Sequence, residues 1–346
     1  MSFPNFFGNA AVARALARMV EQDRIPQTML LAGPEGVGKA TLARRFAAAL
    51  LGDAEKIETD DLSLRPNLEI LAEREKWSSE RRADEPLFFA THPDFVTFCP
   101  DGPLRQISIQ QMRLLRERAQ FAPRKGSYRV FLIDQLDRAN DQAANSLLKI
   151  LEEPPSHLVL LATAQNAYDL LPTIRSRAVI FLLSPLSPEQ MLAFARSRGW
   201  SETDRRLAFA GGSPGLAVTL DVEQWELQRK RMLSLLKVAS GQARFASWVK
   251  HAEAVAESKS EKLEPYLKIL YALLEDVLLV KEGRRAVRNP DLQAELERLA
   301  AAVSREWLLA AVRRVDEMAE FARRNIQKGA ALDSFAVELR AQAGEA

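Results

Sequence analysis

Residues 33–40 read Gly-Pro-Glu-Gly-Val-Gly-Lys-Ala. The spacing follows the phosphate-loop pattern G-x-x-x-x-G-K-[ST] through Lys39 and leaves it at Ala40. In such a loop Gly33, Gly36 and Gly38 let backbone N–H groups turn inward around a phosphate. Lys39 brings charge to the β- and γ-phosphates, and the missing hydroxyl is the one that would hold Mg²⁺. The flanks suit the motif. Met29-Leu30-Leu31-Ala32 is an apolar strand candidate, and the run from Thr41 to Ala47 has a helical pattern. Strand, glycine loop and helix in that order place a phosphate at a helix N-terminus. The chain is therefore equipped to hold a nucleotide and poorly equipped to hydrolyse one.

The rest of the first half alternates strand and helix. Strand candidates are Phe95 to Cys99, Arg129 to Asp134, Leu158 to Ala162 and Val179 to Leu182. Their short, nearly continuous apolar runs suit buried parallel strands. Between them, Ser108 and Gln111 form a capping box that opens a helix carrying Ile109, Met112, Leu115 and Ala119. A second helix carries Ala143, Leu147 and Leu151 and stops before Pro154-Pro155. Five strands alternating with helices predict a parallel sheet covered on both faces. Residues 52–91 interrupt the rhythm with charge-rich sequence such as Glu73-Arg74-Glu75-Lys76, which reads as a partly helical, solvated insertion. The second half is all-helical. Ser187-Pro188-Glu189-Gln190 opens a helix, a further helix runs from about Ser201 to Ala210, and Gly211-Gly212 stops it. Long amphipathic helices such as Tyr266 to Val280 and Trp307 to Phe321 follow.

Composition narrows the function. Forty-eight Lys and Arg against 46 Asp and Glu leave a net charge of +2, which argues against a dominant nucleic-acid-binding surface. Arg124 and Lys125 read as a solvated basic turn or a local phosphate contact. Cys99 is the single cysteine, so there is neither a disulfide framework nor a cysteine metal cluster, which fits a reduced, cytoplasmic compartment. No apolar run reaches transmembrane length, and Arg14 and Arg18 break the N-terminal segment where a signal peptide would be apolar.

A P-loop ATPase needs a second strand ending in Asp, usually followed by Glu. Here the strand ends Ile133-Asp134-Gln135, and a glutamine cannot act as a carboxylate base. Beyond this point a resemblance becomes specific. Asn145-Ser146-Leu147-Leu148-Lys149-Ile150-Leu151-Glu152-Glu153-Pro154-Pro155 resembles the signature helix of bacterial clamp-loader subunits. Leu171-Pro172-Thr173-Ile174-Arg175-Ser176-Arg177-Ala178 resembles their Ser-Arg-Cys motif. His92-Pro93-Asp94 and the run Ile107 to Arg113 resemble the delta-prime group of the DNA polymerase III clamp-loader family.

The resemblance implies an α/β AAA+ module over residues 1–185, with the insertion 52–91 in place of a zinc module, a helical lid over 186–221 and a helical collar over 222–346. It implies that Arg177 is an arginine finger acting in trans on a neighbour's ATP. Gly33, Gly36, Gly38, Lys39, Thr41, Asp134 and Thr163 fall at nucleotide-binding positions. Thr163 reads equally well as a strand-end hydroxyl bonded to backbone. Ala40, Gln135 and Gly215 stand where active members carry a hydroxyl, a glutamate and a sensor arginine, and Ala178 replaces the motif's cysteine. No cysteines follow the phosphate-loop helix, so no zinc is expected. For the loop, two states stay open: empty, or holding ATP or ADP without hydrolysis.

The implied function is that of a non-hydrolysing stator subunit within the DNA polymerase III holoenzyme, a nucleotidyltransferase only by membership. Its implied partners are gamma/tau motor and delta subunits, the sliding clamp and primed DNA reached through the complex, with no membrane. Two alternatives remain: an ATP-hydrolysing clamp-loader motor subunit, and a P-loop kinase for a small molecule.

Overall fold

The computed structural model describes residues 3, 5–200, 203–257, 263–284, 287–322 and 327–343. Five parallel strands form one sheet in the order β2-β3-β4-β1-β5. They are β1 (Thr28–Ala32), β2 (Phe95–Phe98), β3 (Arg129–Ile133), β4 (Leu158–Ala164) and β5 (Val179–Leu182). β4 runs two residues further than its apolar core suggests, and β2 and β3 each stop one residue earlier.

The alternation of side chains across a strand explains the two covered faces. Leu30, Val96, Phe98, Phe131, Ile133, Leu160 and Ala162 point to one side, where they pack with Met112, Leu115, Leu147 and Ile150 of helices Ile109–Ala119 and Asp141–Glu152. Met29, Leu31, Phe95, Val130, Leu132, Val159 and Leu161 point to the other, against Leu16, Leu42, Ala43 and Phe46 of helices Ala10–Glu21 and Lys39–Leu51. β5 is an edge strand paired only with β1, and its Val179, Ile180 and Leu182 are exposed. The capping boxes at Ser108–Gln111 and Ser187–Gln190 both form.

The chain divides into two compact units. One comprises Met1–Thr203 and Gly212–Thr219, so the sheet takes with it the short helix Pro214–Thr219. The other comprises Asp204–Gly211 and Leu220–Ala346, and its regular elements among the described residues are all helices. Its core joins Leu236, Trp248, Tyr266, Leu270, Leu273, Leu296, Val315 and Phe335. Residues 186–221 are thus shared between the two units. The helix expected from about Ser201 is described from Thr203, and Ser201 and Glu202 lie outside the described residues.

The insertion is only in part a solvated face. It forms helices Ala54–Glu58, Arg65–Arg74 and Ser79–Asp84, and Glu73, Lys76, Glu80 and Arg81 are exposed as expected. Arg74 is not, and this corrects the reading of that run as wholly solvated. Its Nε donates to Asp101 Oδ1 at 2.9 Å, and one terminal nitrogen donates to Asp101 Oδ2 at 2.6 Å and to the Glu85 carbonyl at 2.7 Å. Both charged partners are 7% exposed. Leu71, Leu87, Phe89 and Cys99 make a small core beneath, and Trp77 lies against the guanidinium groups of Arg74 and Arg81. At the base, Arg44 of the phosphate-loop helix pairs with Glu58 and Asp61. No cluster of potential metal ligands occurs among the described residues.

Candidate nucleotide loop and exposed arginine

The carboxyl ends of β1, β3 and β4 bring Lys39, Asp134 and Thr163 together, where an open α/β sheet places its ligands. Gly33 anchors the loop by donating its N–H to Ala164 O at 3.1 Å. Its φ is +154°, and a Cβ there would stand 2.2 Å from Leu183 O, so only glycine fits. Helix Lys39–Leu51 begins directly after Gly38, and Thr41 lies half-buried in its first turn.

The polar groups of the site bind one another. Lys39 is buried, and its Nζ donates to the carbonyls of Gly33 at 2.5 Å and Pro34 at 2.7 Å. Burial lowers the lysine's pKa, against the pull of the Asp134, Asp137 and Glu35 carboxylates. Asp134 is also buried, which pushes its carboxyl above the usual value of 3.8. The Thr163 hydroxyl opposes that shift by donating to Asp134 Oδ1 at 2.6 Å, and its oxygen accepts the Gln135 N–H at 2.8 Å. Gln135 occupies the left-handed region at φ +57°. Thr163 therefore joins two strand ends to each other.

A raised carboxylate favours folding below its unfolded value, and that contribution is lost as pH rises through the folded value. Asp134→Asn keeps the acceptor for Thr163 and removes the buried charge. The variant is expected to be more stable than the wild type at neutral pH, with the gap closing as pH falls toward 4. Thermal melts across that range check it, and a less stable asparagine variant at pH 7 would refute the assignment.

The loop is covered by its own chain. Gly215 donates its N–H to Gly36 O at 2.8 Å. A Cβ on Gly215 would stand 3.0 Å from both the Cα and the O of Gly36, so an arginine at this position would have to move the short helix away. The Phe6 ring lies beside Gly38, 3.0 Å from where a Cβ would project. The N-terminal segment is tied down by Asn9, whose amide donates to Ser184 O at 3.0 Å and accepts the Ser184 N–H at 2.8 Å. The residues present lack one group that Mg²⁺-ATP would need at this loop. Ala40 has no hydroxyl for the metal and the short helix is bonded to the loop, while Lys39 spends two of its three N–H donors on loop carbonyls and keeps one for a phosphate.

Arg177 lies apart from this cluster, between helix Pro172–Arg175 and β5. Its guanidinium donates to Thr173 O at 3.0 Å and to Glu152 Oε1 at 3.0 Å, and the side chain remains 34% exposed. Ala178 is half-buried among the apolar side chains under the sheet.

Other motif residues prove to be supports. Asp94 accepts the N–H groups of Arg124 and Lys125, each at 2.8 Å, so it fixes the backbone of the basic turn. Gln111 closes its capping box and donates to the carbonyls of Leu87 and Cys99, both at 2.9 Å, tying the insertion to the sheet. Sequence reasoning missed Glu152 as the partner of Arg177 and Arg74 as the clasp of the insertion. Glu152 lay within a recognised motif, but no periodicity links it to a residue 25 positions away.

A phosphate loop on the strand order β2-β3-β4-β1-β5, followed by a helical unit, defines an AAA+-type P-loop module. The family model for the DNA polymerase III delta subunit matches residues 8–187, and that for the C-terminal part of the delta subunit matches residues 223–330. The chain belongs to the DNA polymerase III delta-subunit family.

The delta' subunit of Pseudomonas aeruginosa is 32% identical over 212 residues, covering 60% of this chain and 60% of the relative. The Escherichia coli delta' subunit is 30% identical over 216 residues, covering 61% and 62%. The gamma/tau subunit of Mycobacterium tuberculosis is 30% identical over 198 residues, covering 56% of this chain and 30% of the relative. The chain thus spans less than two thirds of the length of each of these relatives. Among solved structures, a gamma-subunit-related protein of Thermotoga maritima aligns with 95% of this chain and 99% of its own at 15% identity and a TM-score of 0.44. That likeness is too loose to add to the strand order. No helix among the described residues is long and apolar enough to cross a membrane.

Proposed function

We propose that the chain is a delta-prime-type subunit of a clamp loader, which serves as a non-hydrolysing member of the ring and offers Arg177 to the ATP held by a neighbouring ATPase subunit. One contrast carries the reading. The phosphate loop is covered by the short helix through the Gly215–Gly36 bond and has no hydroxyl at position 40 for a metal, while Arg177 stays at the surface. A guanidinium there can stabilise charge developing on a γ-phosphate bound elsewhere. The family membership supports the setting: a loader with gamma/tau and delta subunits that places a sliding clamp on primed DNA in the cytoplasm. Residues 186–221 then act as the lid and residues 222–346 as the collar that joins the ring.

The similarity to gamma/tau subunits favours a motor subunit as the second reading. Ala40, Gln135 and Gly215 oppose it together, since each lacks a group that hydrolysis needs.

The closed loop is tested by nucleotide titration of the isolated chain. The expected outcome is no ATP turnover, together with ATP and ADP affinities that are the same for wild type and Lys39→Ala. A loop that grips phosphate through Lys39 would lose about tenfold or more on its removal, the equivalent of one charge-assisted bond. Turnover by the chain alone would favour the motor reading.

A further inference from the structure

Glu152 is the last residue of helix Asp141–Glu152, and Glu153 follows it as the cap. A carboxylate at a helix C-terminus faces the negative end of the helix dipole and is unfavourable there unless a cation compensates. Lys149 stands in the same last turn, and Arg177 pairs with the carboxylate directly, its terminal nitrogen donating to Glu152 Oε1 at 3.0 Å. The other terminal nitrogen donates to the Thr173 carbonyl at 3.0 Å. The guanidinium is thus held at two of its nitrogens by acceptors on different elements.

We propose that Glu152 is a positioning residue for Arg177, holding the guanidinium in the orientation from which it reaches a partner's nucleotide. This rests on the trans-acting role given to Arg177 above. An arginine side chain has about 2 kcal/mol of rotamer entropy to lose on being fixed. Restraining it beforehand removes part of that loss from the encounter with the phosphate. The pair suits the task because it is exposed: Glu152 is 52% exposed and Arg177 34%. An ion pair in water restrains a side chain without trapping it, since screening keeps the attraction small. The guanidinium can therefore move toward a more strongly charged acceptor.

The test is ATP hydrolysis by the complete loader, reconstituted with gamma/tau, delta, clamp and primed DNA, for wild type, Glu152→Ala, Glu152→Gln, Arg177→Ala and the Glu152→Ala/Arg177→Ala double variant. Arg177→Ala should give the large loss. Glu152→Ala should lower kcat about fivefold with KM unchanged, equivalent to about 1 kcal/mol. Glu152→Gln, which keeps the acceptor oxygen, should lose less. The double variant should be no slower than Arg177→Ala alone, because Glu152 has nothing left to position. If Arg177→Ala has no effect, the trans-acting reading itself fails. If Arg177→Ala is slow but Glu152→Ala matches the wild type, the positioning role fails. It also fails if the two losses multiply in the double variant. All of the variants are surface changes, and equal thermal melts exclude misfolding as the cause.

Discussion

On the trans-acting role proposed for Arg177, Arg177→Ala is expected to cut ATP hydrolysis by the assembled loader at the neighbouring site, while leaving the chain's own fold and assembly intact. The magnitude expected of an arginine finger is about 10³-fold or more at that site. The effect on the whole ring is smaller in proportion to the sites left untouched. The side chain is exposed, and its bonds are to Thr173 O, Ser176 Oγ and Glu152, so its loss opens no cavity. Stability should change by no more than about 0.5 kcal/mol. Arg177→Lys should recover little. An ammonium is a point charge on a flexible stem and cannot keep one nitrogen on Thr173 while presenting another to an oxyanion. Single-turnover hydrolysis and clamp-loading rates, each with primed DNA present, measure this. Rates equal to wild type for both variants would remove Arg177 from the mechanism.

The second large effect lies in the insertion. Arg74→Ala leaves the Asp101 carboxylate buried without its cation and the Glu85 carbonyl without a donor. Breaking one side of a buried pair costs about 3–5 kcal/mol. Helices Arg65–Arg74 and Ser79–Asp84 should lose protection against hydrogen exchange before the parallel sheet does. Their own core, from Leu71, Leu87, Phe89 and Cys99, is small. Replacing both partners, as Arg74→Met with Asp101→Leu, should restore most of the stability because no uncompensated charge remains. Chelator treatment should change nothing in any of these proteins. An Arg74→Ala protein with a wild-type melt and exchange pattern would show that the insertion is held by other means.

The sheet was legible because its physics is local. An unbroken apolar run such as Val130-Phe131-Leu132-Ile133 is poorly solvated on either face, and glycines at 33, 36 and 38 permit the positive-φ turns that a phosphate loop needs. The capping boxes at Ser108 and Ser187 were legible for the same reason, since donor and acceptor lie three residues apart. The insertion was only half legible. Its helices carry local signals, but a charge run reads as solvated unless one knows that Asp101, 27 residues on, folds back onto Arg74.

The site divides in the same way. The functional groups around the phosphate loop are written in residue identities: Ala40 has no hydroxyl, Gln135 no carboxylate and Gly215 no guanidinium. How the remaining groups are used is not written there. Nothing local says that Lys39 bonds the Gly33 and Pro34 carbonyls, and Thr163 could have faced outward as well as joining Asp134 to Gln135. Sequence by itself determined which functional groups this chain possesses and where its parallel strands run, because composition and short-range geometry suffice for both. Only the tertiary structure decided which groups satisfy one another and which stay exposed. That depends on contacts across 25 to 180 residues, such as Glu152 with Arg177 and Gly36 with Gly215, which no local pattern encodes.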